Sequence, residues 1–283
     1  MERFPGYKIY EEYNPDQYKT SVQKKVERVL GEAQKERGRM GPETMEFREL
    51  RGREAESLRN FFGYDVEVPP LPAEITMERY EKWKEMGFEL HYLPAEEMKK
   101  DRELPGWKKK PRDLFYENIK DKKVDADAAT LPGAWILADT REKPKYQHAE
   151  QMYQDDVLAK TLEELRKKKV IGAFEVEGSR FRISWDELHK PEVKKAIAEA
   201  LDVPEKYLRL PRAIEWNYLG NAYHPSWGDT DTWEWFEDSL GEGQRRLAVG
   251  YSGIGGLSSV GWGDPGARLG DLGFRPQVVF SRE

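Results

Sequence analysis

Apolar residues recur at three- and four-residue spacing in five stretches of the chain, which is the period of an amphipathic helix. The first two stretches are separated by Gly41-Pro42, and the last one stops before Pro204. Glycine and proline at these positions indicate where each helix ends. We predict helices at residues 15–39, 42–62, 75–86, 151–169 and 191–201, with a further helical turn at 94–100.

Other stretches alternate between apolar and polar residues or are continuously apolar, and these predict short β-strands. Ser184 and Glu187 stand three residues apart, the spacing of a capping box that begins a helix. After Pro211 we expect short strands set in long loops, so the fold class is α+β. The predicted strands lie at residues 63–68, 88–92 and 132–138, and a hairpin is predicted at 174–183 around Gly178-Ser179.

Residues 104–130 are charged, interrupted by proline and poorly periodic, which indicates a boundary between two parts of the chain. A chain of 283 residues also exceeds the commonest domain size of roughly 100–150 residues. We therefore expect a mainly helical N-terminal module at residues 1–125 and a second domain at 126–283. The first module shows no paired acids for catalysis, and an attachment or assembly role for it stays open.

The composition of the chain excludes or disfavours several classes of function. The chain contains no cysteine, which excludes disulfides and thiolate chemistry, and a net charge of −6 makes nucleic-acid binding a poor expectation. The start lacks the basic-then-apolar order of a signal peptide, and no stretch approaches the roughly 20 apolar residues of a membrane helix. We expect synthesis in the cytoplasm and no membrane span.

The last seventy residues differ in composition from the rest of the chain. The last lysine is Lys206, whereas five of the nine tryptophans follow it, and 11 of the 33 residues from Gly241 to Gly273 are glycine. Aromatic rings supply contact area, small polar residues adapt around them, and glycine frees the backbone, as in antibody paratopes. This composition favours a binding surface built from loops.

Three motifs in this tail follow one another in a recognisable order. They are Thr232-Trp233-Glu234-Trp235, Arg245-Arg246-Leu247 leading to Gly250-Tyr251-Ser252, and Leu272-Gly273-Phe274-Arg275. Their order resembles the C-terminal signature of the formylglycine-generating-enzyme branch of the C-type lectin fold, in which each motif is a strand. The likeness covers about residues 211–281 and, for the fold alone, extends back to about 131. Tyr251 stands where the family has a second glycine.

The catalytic residues of that branch are missing. Formylglycine-generating enzymes need a cysteine pair, and the related iron-dependent sulfoxide synthases need clustered histidines. His91, His148, His189 and His224 are scattered without local ligand spacing, and the sugar-binding triplets of calcium-dependent lectins are absent. We therefore expect a protein that is not an enzyme.

The resemblance is closest to the variable proteins of diversity-generating retroelements of archaeal viruses and small-genome bacteria. In these proteins, mutagenesis at adenines of the DNA exchanges surface residues shortly before the closing Gly-Phe-Arg. Such mutations do not easily produce lysine codons. Residues 223–232 and 251–259 have the expected mixture of Tyr, Ser, Gly, Asp and Thr. The resemblance implies a variable region at about 223–271 that binds a protein or cell-surface ligand. A fixed virion adhesin or structural protein, and an oxidoreductase relative, remain the alternatives.

The expected ligand-binding residues are Tyr223, His224, Ser226, Trp227, Asp229, Asp231, Trp233, Tyr251, Ser252, Ile254, Ser258, Ser259, Trp262, Asp264 and Arg268. Alternation favours the framework, on the inward side of short strands, for Trp216, Trp235 and Phe274, and Gly273 permits close packing. For Arg275 we favour an ion pair with a nearby carboxylate such as Asp238 over a ligand-facing role, which stays open. No cofactor is expected, although a calcium site remains open at Asp229, Asp231, Glu234 and Asp238.

Overall fold

A computed structural model describes residues 44–146 and 152–280, together with Lys25. Apart from Lys25, the helix predicted at residues 15–39 lies outside the described residues. The described residues form helices and two four-stranded sheets, so the fold class is α+β as expected.

The helices begin and end at residues that satisfy or terminate the backbone hydrogen bonds. Thr44 Oγ1 accepts from Phe47 N at the start of the first helix, and Gly63 ends it with a φ of 82°. Ser184 and Glu187 form the predicted capping box. The helices are α1 Met45–Phe62, α2 Met77–Glu85, α3 Asp113–Lys120, α4 Ala159–Lys167, α5 Trp185–Leu188, α6 Pro191–Leu201 and α7 Ala213–Ala222. Short 3₁₀ turns lie at Glu205–Tyr207, Pro225–Gly228, Ser252–Ile254 and Gly256–Ser258.

Eight strands form the two sheets. They are β1 Phe88–Leu93, β2 Ala134–Asp139, β3 Leu208–Arg209, β4 Trp233–Leu240, β5 Arg245–Val249, β6 Val260–Gly263, β7 Leu272–Phe274 and β8 Gln277–Phe280. The first sheet is antiparallel with the order β1-β2-β8-β3. The second has the order β6-β5-β4-β7, in which β4 and β7 are parallel.

The first sheet contains strands from both sides of the boundary expected near residue 125. Strand β1 lies before the boundary and pairs along its whole length with β2, which lies after it. Strand β2 then pairs with β8, near the end of the described chain. Residues 104–130, where the boundary was expected, also pack into the core, since Trp107 and Phe115 are buried and α3 lies among these residues.

Glycines in β6 allow the second sheet to pack closely. A Cβ on Gly261 would lie 2.9 Å from the ring of Trp233, and one on Gly263 would lie 2.7 Å from the ring of Trp235. Both distances are shorter than any ordinary carbon contact, so the tryptophan rings occupy the space that side chains on β6 would need. The predicted framework role of Trp235 is confirmed by its complete burial.

Several predicted elements are correct. The structure confirms the helices at 42–62, 75–86 and 191–201 and the strands at 88–92 and 132–138, within a few residues. Trp216 is buried as expected, but it lies on helix α7 rather than on a strand. The predicted helix at 151–169 begins only at Ala159, because Asp155 adopts a φ of 50° and Asp156 accepts from Leu158 N.

Three predicted elements are wrong. The hairpin at 174–183 is absent because Arg166 binds the carbonyls of Glu177 and Phe181, which a partner strand would otherwise bind. Residues 63–68 form no ladder, and Arg51 donates to Val68 O instead. The helical turn at 94–100 is replaced by an isolated bridge in which Glu97 pairs with Thr130.

The core contains the largest aromatic side chains together with paired charges. Arg180 is fully buried between Asp139 and Asp156, with nitrogen–oxygen distances of 2.7 and 2.6 Å. Such pairs persist in a core only when the charges also satisfy one another's hydrogen bonds.

Among the described residues, no helix has both the length and the apolar character needed to cross a bilayer.

Candidate functional site

The expected ligand-binding residues differ in their exposure to solvent: some are exposed, some are half-buried and two are buried. Asp229, Ser252, Trp262, Asp264 and Arg268 are exposed. The half-buried ones are Tyr223, His224, Ser226, Asp231, Trp233, Tyr251, Ile254 and Ser258. Trp227 and Ser259 are completely buried, so neither lies on the surface expected for it.

These two buried residues support the loops from inside. The Trp227 ring stacks on Trp216 at 5.9 Å and on His224 at 4.6 Å, and the Arg275 guanidinium lies 4.1 Å from it. Ser259 Oγ accepts from Gly250 N at 2.9 Å and donates to Gly256 O at 2.8 Å. Their burial follows from these contacts, which composition alone does not reveal.

The aromatic residues of the surface do not form a single patch. Trp233 stacks on Tyr251 with ring centroids 5.3 Å apart and nearly parallel planes. Trp262 is 51% exposed, and the guanidinium of Arg245 lies 3.6 Å from its ring centroid. Side chains alternate along a strand, and Gly261 on β6 faces Trp233, so Trp262 lies on the opposite face of the strand.

The backbone of residues 252–258 is held by residues outside this segment. Asn217 Nδ2 donates to Leu257 O at 2.7 Å, and Asn217 Oδ1 accepts from Trp107 Nε1 at 2.7 Å. Ser252 N donates to Thr230 O, and Arg112 N donates to Ser258 O. These anchors use only backbone groups of the segment, so they do not depend on the side chains of Ser252, Ile254 and Ser258.

Other expected surface residues have structural partners. Asp231 Oδ1 accepts from Tyr146 N at 2.6 Å. Arg268 binds both carboxylate oxygens of Glu187 at 2.9 and 2.7 Å and so ties residues 264–271 to the capping box. Asp264 accepts from Gly266 N within its own turn. These three side chains therefore make contacts within the protein that stabilise its fold.

A buried network around Glu234 underlies the second sheet. The Glu234 carboxylate is fully buried and accepts from Tyr153 Oη at 2.6 Å and from Trp216 Nε1 at 2.9 Å. It also pairs with Arg275 at 3.1 Å. The partner of Arg275 is thus Glu234 and not Asp238, which instead pairs with Arg212 at 3.0 Å.

The same contacts argue against the calcium site that the sequence left open at Asp229, Asp231, Glu234 and Asp238. Glu234 and Asp238 are buried in separate hydrogen-bonded networks, and Asp231 holds the backbone of Tyr146. Among the described residues, no three of these four carboxylates place oxygen atoms close enough together to hold one ion, whereas calcium requires six to eight oxygen ligands around one point.

Lys143 is a buried cation that anchors one end of the antiparallel strand pair β4–β5, where Thr232 precedes β4 and Gly250 follows β5. Its Nζ donates to Thr232 O and Gly250 O, each at 2.7 Å. Burial is the main cause that lowers the pKa of this amine from 10.5 to about 8. The folded protein consequently loses a proton from Lys143 at a pH where the unfolded chain still keeps it.

This difference predicts a pH-dependent stability. Between pH 8 and 10.5 the unfolded chain binds more protons, so the free energy of unfolding contributed by Lys143 rises with pH. Relative to Lys143→Met, the wild-type protein should gain about 1 kcal/mol between pH 7 and 9. Urea unfolding of both proteins at the two pH values measures this gain. A difference that stays constant or falls would contradict the lowered pKa.

A second group of polar residues lies where β1 meets the end of helix α7. Glu89 and His91 are two residues apart on β1, so their side chains share one face of the strand. His224 lies just after the end of α7. Glu89 Oε2 lies 3.1 Å from His91 Nε2 and 3.3 Å from His224 Nε2. Among the described residues, this is the group of three whose ligand atoms lie close enough to hold a metal ion, all within 4.8 Å.

Glu54 on helix α1 completes this group from the other side. Its Oε1 lies 3.2 Å from His91 Nδ1, and its Oε2 accepts from Tyr92 N and Tyr223 Oη. Burial opposes a charge on His91, but Glu54 and Glu89 outweigh it and raise the pKa of His91 to about 9. Tyr223, expected on the binding surface, stacks on His91 at 4.0 Å instead.

Comparisons with models of protein families, with curated proteins and with solved structures gave no match to this chain. The site must therefore be interpreted from its own chemistry.

Sequence reasoning missed the grouping of the two histidines. His91 and His224 are separated by 133 positions, so no local spacing links them. The one local signal is Glu89-Leu90-His91, which places two ligand types on one face of a predicted strand. Recognising the group also requires the contact of Tyr223 and His224, which follow α7, with β1, and the sequence pattern does not specify this contact.

Proposed function

We propose that this protein binds a protein or cell-surface ligand through its C-terminal loops and has no catalytic activity at that surface. The observation that carries the proposal is the anchoring of residues 252–258. Their backbone is held by Asn217, Arg112 and Thr230, while Ser252 is exposed and Ile254 and Ser258 are half-buried. Side chains that do not determine the fold are free to be selected for contact with a ligand.

The arrangement of the three family-like motifs supports a C-type lectin-like fold for the C-terminal part. The segments that begin at Trp233, Arg245 and Leu272 are strands β4, β5 and β7. They are neighbours in one sheet, with β4 between the other two. Strand β2 also pairs with β8, so the beginning and the end of the expected domain lie side by side. Short strands and long connecting segments are what the resemblance predicts.

The chemistry of the exposed side chains suits recognition of a macromolecule. Trp262 presents a large ring, and the stacked pair of Tyr251 and Trp233 presents another. Ser252 follows Tyr251, and Asp229 precedes Thr230, whose carbonyl accepts from Ser252 N, so both small polar groups are close to the stacked pair, whereas Trp262 lies on the other face of β6. Aromatic anchors surrounded by small polar residues are typical of paratopes, because they give contact area at low entropic cost.

The proposal includes diversification of this surface by a retroelement. It predicts a second, near-identical copy of the DNA for about residues 223–271, beside a reverse-transcriptase gene. The two copies should differ mainly at adenines of the repeat, and lysine codons should stay absent from the expressed copy. Sequencing of the locus tests this. A locus without such a repeat would refute diversification and leave a fixed adhesin or structural protein as the interpretation.

Replaceable side chains predict tolerance to substitution. A variant with Ser252→Tyr, Ser258→Asp and Trp262→Ser should lose less than about 1.5 kcal/mol of unfolding free energy, because surface substitutions usually stay within about 0.5 kcal/mol each. Urea unfolding followed by tryptophan fluorescence and circular dichroism measures the change.

The matched control is Leu257→Ser in the same loop. Leu257 is only 2% exposed and packs against Gly220 and Gly228. This substitution should cost about 3 kcal/mol, because it leaves a cavity and buries a hydroxyl. If the triple variant were as unstable as Leu257→Ser, the loop would not be a scaffold with exchangeable side chains.

A further inference from the structure

We propose that Glu89, His91 and His224 bind one divalent transition-metal ion, at a site separate from the proposed loop surface. The two histidines and the carboxylate come from strand β1 and from the segment after helix α7. The metal site does not require the loop surface to be diversified, but it requires His224, which lies within residues 223–271, to stay constant.

The separations within the group suit a tetrahedral ion. Zinc binds histidine nitrogen and carboxylate oxygen at about 2.0–2.2 Å, so neighbouring ligand atoms lie roughly 3.3 Å apart. Glu89 Oε2 is already 3.1 Å from His91 Nε2 and 3.3 Å from His224 Nε2. The three ligand atoms lie within 4.8 Å of one another, so small rotations of the imidazoles bring them to one ion.

Glu54 orients His91 in the way that metal-bound histidines require. His91 Nδ1 lies 3.2 Å from Glu54 Oε1, which fixes the ring so that Nε2 points at Glu89. Glu54 is itself held by Tyr92 N and Tyr223 Oη. A carboxylate behind the imidazole fixes its tautomer and raises its basicity toward a metal.

His224 provides a separate observation that points to a ligand. Its Nε2 is buried and makes no hydrogen bond to any described residue, although Glu89 Oε2 is 3.3 Å away. A buried nitrogen without any partner costs about 1–3 kcal/mol; the ion-pair contact with Glu89 offsets part of that cost for His224 Nε2, but the missing hydrogen bond still needs an explanation. Coordination to a metal shared with Glu89 would remove this cost.

The donor set and its exposure indicate the class of ion. Two imidazoles and one carboxylate suit zinc, cobalt and iron(II), whereas calcium prefers oxygen ligands alone. The Glu89 side chain is 49% exposed, while that of His91 is only 6% exposed. An ion here is thus reached from solvent on one side and keeps room for a water molecule as a further ligand.

The competing interpretation is a metal-independent ion pair. In that case a protonated His91 bridges Glu54 and Glu89, and the contact of His224 with Glu89 is incidental. The two interpretations differ in one measurable respect, which is whether added metal binds and stabilises the folded chain.

The test uses the full-length chain without a purification tag, stripped of metal by a chelator. Zn²⁺ should bind with one-to-one stoichiometry in calorimetry and should raise the midpoint of thermal unfolding, since it binds the folded state. Co²⁺ should give the strong visible absorption of a four- or five-coordinate ion. Glu89→Gln and His224→Gln should each weaken Zn²⁺ affinity at least about 100-fold, and Glu54→Gln about 10- to 100-fold.

Two histidine variants are matched controls. His189 contacts Glu237 at 3.2 Å outside the group, and His148 lies outside the described residues. His189→Ala and His148→Ala should leave the Zn²⁺ affinity unchanged. Circular dichroism of each variant without metal establishes that it folds, and the half-exposed Glu89 is the ligand whose replacement disturbs the fold least.

Absence of saturable Zn²⁺ binding would overturn the proposal and leave the ion pair. Equal affinity in the wild-type protein, Glu89→Gln and His224→Gln would also overturn it, because the ion would then bind elsewhere. Failure of these measurements would not affect the loop surface, which the substitution experiment at residues 252–262 tests separately.

Discussion

The Glu234→Ala variant is expected to lose about 4 kcal/mol of unfolding free energy, because it leaves a buried guanidinium without its carboxylate. Arg275 is 2% exposed and pairs with Glu234 at 3.1 Å. Its other hydrogen bonds are to the backbone oxygens of Asp139 and Arg141, and its guanidinium also lies over the Trp227 ring; none of these groups carries the negative charge that would neutralise it. The charge would remain inside the protein, where removing one partner of a buried pair typically costs about 3–5 kcal/mol.

The same substitution also removes the acceptor of two other donors. Tyr153 Oη donates to Glu234 at 2.6 Å and Trp216 Nε1 donates at 2.9 Å, and both side chains are buried. Each buried donor that loses its partner adds a desolvation cost of about 1–3 kcal/mol, which water entering the cavity partly offsets.

Urea unfolding of the wild-type protein and the variant measures the loss. Glu199→Ala is the matched control, because Glu199 is exposed and its carboxylate lies 3.9 Å from Lys195. That variant should change stability by less than about 0.5 kcal/mol. The double variant Glu234→Ala with Arg275→Met should be more stable than Glu234→Ala alone, since the uncompensated charge is gone. If both glutamate variants were equally stable, Arg275 would not depend on Glu234.

The sequence predicted the framework of this region but not its charge pairs. Trp235 and Phe274 were expected in the core because they alternate with polar residues on short strands, and both are buried. Glu234 and Asp238 are four residues apart on β4, so alternation cannot decide which one faces Arg275. The parallel pairing of β4 with β7 decides it, because it sets Glu234 opposite Gly273, two residues before Arg275.

The predictions for residues 174–183 and for Trp227 were wrong because contacts of side chains from distant segments determine the structure there. Residues 174–183 alternate as a hairpin would, yet Arg166 satisfies their carbonyls and Arg180 turns inward to Asp139. Trp227 was expected at the surface because it lies among small polar residues, whereas its ring fills the space between Trp216 and His224. Both outcomes depend on contacts between distant segments, which the period of a local pattern does not contain.

The Gly256→Ala variant is expected to lose about 4 kcal/mol, because its new methyl group would meet backbone. A Cβ at Gly256 would lie 2.4 Å from the carbonyl oxygen of Gly228, and Gly256 has a φ of 58°. The left-handed conformation costs an L residue about 1–2 kcal/mol, and overpacking costs about 1–3 kcal/mol or more. Backbone atoms cannot rotate away as a flexible side chain can, so the turns Pro225–Gly228 and Gly256–Ser258 must separate.

Gly241→Ala separates the conformational cost from the collision. Gly241 has a φ of 65°, similar to that of Gly256, and a Cβ there would have no described atom within 4 Å. This variant should therefore lose only about 1 kcal/mol. Urea unfolding of the two alanine variants gives the difference, about 3 kcal/mol, as the cost of the collision alone. Equal losses would mean that the two turns are not in close contact, and residues 252–258 would then lack the rigid support that the proposed binding surface requires.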